Sequence, residues 1–402
     1  MLRVFFPFAL GYFLSYLFRV VNAVIAPDLV RDAGLAAGDL GLLTSAYFLT
    51  FAAFQLPLGI LLDRWGPRRT EATLLLFAAV GAFVFASADD AAGLIAGRAL
   101  IGLGASACLM AAFKAFVVWF PRERLPLVNG CQMAAGGLGA LAATAPVEAA
   151  LAITDWRGVF VALGLLTLAV AIILLLVVPE QDGPQEGTRL SDQVAGILRI
   201  FSSPLFWRVA PLTVSSQAAF LAVQGLWSGP WLRDVGGLDR AAVAEHLLFV
   251  AAAMVAGFLV MGWSAERLSR HGVRPMAVAV VGMGLFMAAQ AAIVAGLPLS
   301  ALALWGAFGF FGTTGILPYA ALSQRFPPHL AGRLNTGLNV LVFVLAFAGQ
   351  WGIGAILGQW PTSAAGGYDP QGYAVAFAVM LGLQILGLAW FAAFRRDGVP
   401  AA

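Results

Sequence analysis

A chain of 402 residues that is 61% hydrophobic and 11% charged has too little polar surface to fold in water; soluble domains run at about 45–50% apolar and about 25% charged residues. A net charge of +3, spread over short loops without an aromatic-interleaved basic patch, argues against nucleic acid as a partner. Cys108 and Cys131 both lie in apolar stretches, and the three histidines follow no HExxH, GxSxG or metal-ligand pattern, so a disulfide scaffold, a metal site, a cofactor and an enzyme are all disfavoured.

A membrane-crossing helix needs about 20 mostly apolar residues, and successive stretches of this kind fill the chain. The first, 4–29, runs into further apolar sequence and reads as a span rather than a cleaved leader. It holds Arg19 near its mid-depth, flanked by Tyr12, Tyr16 and Asn22, with Asp28 at its far end. Spans 40–62 and 71–88 follow, joined by the charged turn "LLDRWGPRR". Span 91–119 carries Arg98 in "GRALIGLG" and Lys114, the one lysine among 23 basic residues, in "ACLMAAFKAFVVWF". Spans 126–151 and 157–178 complete a first set of six, with Glu148 toward the outer end of the former. The polar stretch "PEQDGPQEGTRLSDQ" then reads as a linker, giving units of 1–178 and 206–402 joined by 179–205. The second set is 206–232, 242–264, 274–295, 299–324, 333–358 and 372–394. Its polar punctuation comes from Gln217, Gln224 and Trp227 on span seven and from Asn335, Asn339 and Gln350 on span eleven.

The loops at one face hold Arg64, Arg68, Arg69, Arg122, Arg124, Arg267, Arg270, Arg274, Arg325 and Arg333, with Arg395 and Arg396 beyond the last span. The other face holds Arg31, Arg157, Arg233 and Arg240. This bias predicts an inner-membrane protein with both termini in the cytoplasm. The two sets also repeat. "LVRDAGL" recurs as "LRDVGGL", and "WFPRERLPLVNG" is matched by "RFPPHLAGRLNTG". Two parallel six-span repeats predict an all-α polytopic membrane protein, two pseudo-symmetric six-helix bundles with a site between them, the layout of a carrier.

"GILLDRWGPRR" closely resembles the loop 2–3 signature of the major facilitator superfamily through Gly59, Asp63, Arg64, Gly66, Arg68 and Arg69, with a degenerate copy at Gly262, Glu266 and Arg267. The resemblance covers the whole chain. It implies alternating access and a latch in which Asp63 and the nearby arginines pair with helix ends and acidic groups of the opposite half. A topology role serves Arg68 and Arg69 equally well. Residues 11–41 look like the first span of the superfamily's organophosphate:phosphate antiporters and anion:cation symporters, through Gly11, Tyr12, Tyr16, Arg19, Ala23, Pro27, Leu29 and "GDLG". The resemblance implies that Arg19 binds the anionic group of a cargo. It also places Lys114 at a basic position that these relatives carry in span four.

A charge near the bilayer centre costs about 2.5–3.5 kcal/mol on insertion scales and persists by facing a cavity, a partner or a cargo. Spans one, two and four contain no carboxylate at the depth of Arg19. The two cations are therefore expected to await a small carboxylate, sulfonate or phosphate. The alternatives are backbone bonding for Arg19 and snorkelling toward the surface for Lys114. Arg98 reads as structural or gating. Tyr12, Tyr16 and Asn22 are placed to line the same cavity as Arg19, and Gln217, Gln224 and Trp227 occupy the equivalent of span one. Asn335, Asn339 and Gln350 are candidate cargo contacts too, although polar groups in such a context are more often helix–helix hydrogen bonds than ligands. Glu148, then Asp28, are the candidates for a co-transported proton, while sodium coupling or exchange stays open. The expected partners are an anionic small molecule and the lipid bilayer, with the protein a monomer. The competing reading is a carrier of non-anionic cargo, a drug-like compound or a metal chelate.

Overall fold

The computed structural model describes residues 2–121, 125–180, 198–323, 325–326, 331–362 and 367–394, with a few side chains inside helices excepted. The linker 181–197, Arg122, Arg124, Arg395, Arg396 and the side chains of Asp63 and Arg333 lie outside the described residues.

Among the described residues eleven helices are long and apolar enough to cross a membrane: Ala37–Gln55, Arg64–Ser87, Ala91–Trp119, Cys131–Leu151, Trp156–Val177, Pro204–Asp234, Arg240–Ser269, Pro275–Val294, Ala301–Tyr319, Leu334–Leu357 and Pro370–Ala393. A bent pair, Leu2–Val20 with Asn22–Ala33 at 47°, adds a twelfth. In chain order we number the bent pair span 1 and the rest spans 2 to 12. The spans match the sequence expectation. The face bearing the 1–2, 3–4, 5–6, 7–8, 9–10 and 11–12 turns is called the distal face, and the face shared by the termini the terminal face.

The even-numbered spans start at the distal face, and side chains there close each one. The carboxylates of Asp90, Asp155, Asp239 and Asp369 accept from the backbone amides of Gly93, Gly158, Ala242 and Gln371 at 2.7–2.8 Å, and Ser300 accepts from Ala303 at 3.2 Å. Asp39 reaches back to the Ala36 amide at 3.3 Å. The first amides of a helix have no intrahelical partner, and a cap of this kind contributes about 1 kcal/mol. At the terminal face spans 2 and 3 are joined through Gly66, whose φ of 72° lies in the left-handed region. Glycine takes that conformation without a Cβ clash. Thr70 Oγ1 then donates to the Leu61 carbonyl at 3.0 Å across the turn.

Irregular backbone falls at matching places in the two halves. Span 1 breaks at Val21, and span 7 loosens into a wide π-type turn over Val223–Trp227. Span 4 breaks at Ser106–Ala107, and span 10 tightens into a 3-10 turn over Thr313–Ile316. The repeat seen in sequence is therefore also a repeat of helix defects. Span 7 is the most enclosed, with 89% of its apolar window buried, against 28% in spans 8 and 12. Leu165, Leu176, Val281 and Leu386 point outward as an apolar surface suited to lipid. The halves meet where span 11 packs on span 2, span 8 on span 5, and the distal arm of span 1 on span 7.

Candidate functional site

Arg19 is two residues before the break in span 1 and is 7% exposed. Its guanidinium carbon lies 4.5 Å from the Tyr16 ring centroid, 5.8 Å from Tyr47, and 5.4 Å from both Phe51 and Phe343. Tyr16 comes from span 1, Tyr47 and Phe51 from span 2, and Phe343 from span 11. The cage is thus assembled from both halves, and the Phe51 and Phe343 rings close it at 4.4 Å between centroids. Among the described residues Arg19 makes no ion pair, and its Nε has no hydrogen-bond partner. A cation–π contact contributes about 0.5–1 kcal/mol, or about 2 when desolvated. Such contacts hold a cation in place but do not neutralise it.

Arg98 holds the cage from behind. It is fully buried, donates from Nη1 to the Phe18 carbonyl at 2.8 Å, and lies 5.4 Å from the Tyr47 ring. The Tyr47 hydroxyl donates to the Ser15 carbonyl at 3.2 Å. Arg98 therefore anchors the backbone immediately before Arg19.

The other expected site residues divide. Tyr12 stacks edge-on against Tyr16 at 5.4 Å and donates to Met133 Sδ at 3.7 Å, which extends the aromatic wall toward span 5. Asn22 is buried and donates to Thr44 Oγ1 at 3.0 Å, pinning span 1 to span 2. Trp227 Nε1 donates to the Gln350 carbonyl at 2.9 Å, and Gln350 Nε2 donates to the Ala222 carbonyl at 3.2 Å, so these two lock span 7 to span 11. Gln224 Nε2 meets Met254 Sδ at 3.3 Å, Gln217 Nε2 donates to the Gly312 carbonyl at 3.2 Å, and Asn339 Oδ1 accepts from the Tyr319 hydroxyl at 2.9 Å. All are engaged in helix–helix bonding. Lys114 is half-buried on span 4 and is not without a partner; nor is Asn335.

At the distal face Arg240 of span 8 joins the halves. Its Nη1 and Nη2 donate to Asp28 at 2.9 and 2.6 Å, and its Nε donates to Glu148 at 2.6 Å. The two candidates for proton coupling are thus the acidic side of a cross-half ion triad. Near it, Gly229 of span 7 packs against the Ala23 carbonyl and Gly354 of span 11 against the Ala37 carbonyl. At the start of span 3, just past the Gly66 turn, Arg68 lies 3.8 Å from Glu180 and Arg69 pairs with the same carboxylate. Glu180 follows span 6, so this pairing stays with the N-terminal six spans instead of reaching the opposite half. Arg64 is exposed, and Gly59 is half-buried. In the second copy Glu266 pairs with Arg270 at 2.6 Å, and Arg267 lies over the Trp263 ring at 5.3 Å.

Five residues escaped the sequence. Tyr47, Phe51 and Phe343 resemble ordinary apolar span residues, and only their convergence on Arg19 distinguishes them. Arg240 reads as a loop charge, because its partners lie 212 and 92 positions away. Glu71 lies at the edge of the expected third span, yet it is fully buried. Its signal was present, as the one acid in the apolar run "TEATLLLFAAV".

The Major Facilitator Superfamily model matches residues 8–350. The chain belongs to that superfamily. As a superfamily member it is an integral membrane protein, and its relatives are transporters, not enzymes. It is 28% identical over 184 residues to the probable sulfoacetate transporter SauU of Cupriavidus necator, covering 46% of this chain and 42% of that protein. It is 26% identical over 184 residues to the hexuronate transporter of Escherichia coli K12, with the same coverages. It is 28% identical over 179 residues to the probable L-galactonate transporter of that strain, covering 43% of this chain and 37% of the relative. The chain thus spans less than half the length of these relatives. Among solved structures, a bacterial homolog of the human lysosomal transporter Spinster, inward-facing and occupied, superposes with a TM-score of 0.76 at 17% identity over 99% of this chain and 98% of that one. The D-xylose-proton symporter gives 0.74 at 15% identity over 99% and 98%. Both establish the fold.

Proposed function

We propose that this superfamily member is a secondary active transporter that moves a small organic anion across the inner membrane by alternating access, with Arg19 as the anion-binding group. The observation that carries the proposal is the caged, unpaired guanidinium of Arg19, built from both halves. Arginine presents a planar fork matched to carboxylate, sulfonate or phosphate. Aromatic walls leave its charge for the cargo to complete and exclude water from the contact. The relatives are named for sulfoacetate, a hexuronate and L-galactonate, all of them small organic anions.

The Arg240 triad serves as the distal gate, outside the cell if both termini are cytoplasmic. Cargo enters or leaves at that face when Arg240 releases Asp28 and Glu148. Their pairing with Arg240 supports reading these acids as gating groups.

The test is uptake into proteoliposomes across a panel of small carboxylates, sulfonates and phosphates, with and without a pH gradient. Arg19→Ala and Arg19→Lys run beside the parent. Truncating one partner of a buried charge pair costs about 2–5 kcal/mol, so Arg19→Ala should weaken uptake by roughly 30-fold or more at about 1.4 kcal/mol per decade. Lysine should recover part of the loss. Equal uptake by parent and Arg19→Ala refutes the anion site.

A further inference from the structure

Glu71 is a buried carboxylate for which the proposed transport cycle has no use. It sits on span 3 just past the Gly66 turn and is fully buried, and neither of its oxygens has a hydrogen-bond partner among the described residues. Two other spans enclose it. Gly11 of span 1 faces it so closely that a Cβ there would collide with Oε1. Cys108, fully buried just past the break in span 4, places its thiol beside it. Leu75, one turn along span 3, packs against Gly11 as well. Of the ionisable groups around it, Cys108 offers only a weak donor. Lys114 lies farther along span 4 toward the terminal face.

An isolated ionised carboxylate is among the costliest groups to hold away from water, and buried charges are therefore paired, metal-bound or neutralised. Here no cation meets the oxygens and no cluster of metal-ligating residues occurs among the described residues. The ligand whose chemistry fits is a proton. We propose that Glu71 is a proton-binding site at the junction of spans 1, 3 and 4, occupied while these spans are packed as seen and emptied when they part. Gly11 is the sensor in this arrangement. The carboxylate rests on the bare Cα of the helix that also bears Arg19, eight residues or about 12 Å further along. A shift of span 1 against span 3 therefore changes the solvation of Glu71 directly. Coupling of this proton to cargo rests on the transporter reading above; proton binding itself does not.

The test needs no cargo. Infrared difference spectra of the detergent-purified protein, recorded from acid to alkaline pH, should contain the carbonyl stretch of a protonated carboxylic acid in a dry site. Glu71→Gln should remove that band completely, and Cys108→Ala should shift it. Gly11→Ala, which forces the carboxylate to move, should shift or abolish it, and this arm decides the matter even if Glu71→Gln fails to fold. No such band in the parent, or a band unchanged in Glu71→Gln or Gly11→Ala, overturns the proposal. A band assigned to Glu71 in a protein that carries no anion of the panel would sustain the proton site and sink the cargo assignment alone.

Discussion

Removing Arg240 should open the distal face. The side chain makes three charged bonds across the halves, two to Asp28 and one to Glu148, at 2.6–2.9 Å. It is 41% exposed, while Asp28 is 8% and Glu148 21% exposed. Exposed ion pairs contribute about 0.2–1 kcal/mol, and breaking a buried pair costs about 3–5 kcal/mol. A partly screened, bidentate contact to a buried acid falls between, at about 2 kcal/mol, which is roughly 30-fold in a two-state equilibrium. Arg240→Ala should shift the distal-closed to distal-open ratio by that factor. The assay is electron–electron distance measurement between spin labels at Ile153 and Leu299, both exposed on distal turns of opposite halves, with the exposed Cys131 replaced. Arg240→Ala should enlarge the long-distance population, and adding Asp28→Asn should enlarge it little further, because the bond is already lost. An unchanged distribution, or full additivity of the two substitutions, would refute the triad as a gate.

Two further predictions use neighbouring features. Gly229→Ala places a Cβ against the Ala23 carbonyl and should displace the same distance distribution in the same direction as Arg240→Ala, with a lowered melting temperature because backbone must shift to admit it. Arg98→Ala removes the 2.8 Å bond to the Phe18 carbonyl and should destabilise the protein by about 1–3 kcal/mol, read as a lower melting temperature in detergent. In the uptake assay Arg98→Ala should weaken anion affinity by displacing Arg19, with the maximal rate less affected.

The spans were legible because the bilayer imposes a length and a composition that no tertiary contact overrides. Arg19 was legible for a related reason: a cation at mid-depth stands out against an apolar helix. What surrounds it was not. Phe51 and Phe343 are indistinguishable by type from lipid-facing phenylalanines, and the side a helix presents inward is set by packing against distant neighbours. Lys114 shows the converse. Its sequence context is nearly as apolar as that of Arg19, but it lies nearer a helix end, where partners are within reach. Glu71 was hidden by helix phase: the Gly66 turn starts span 3 several residues earlier than hydropathy suggested, which carries the acid from the rim to the interior.

The elbow in span 1 has a mechanical implication. Its first arm packs among spans 4, 5 and 6, while its second arm lies against span 7 of the other repeat. Arg19 is attached at the joint itself, so on the proposed reading a cargo that tugs on the guanidinium exerts torque where the two arms meet. On that reading grip and leverage reside in one side chain, and a stiffened joint would leave a protein that holds its cargo but cannot deliver it.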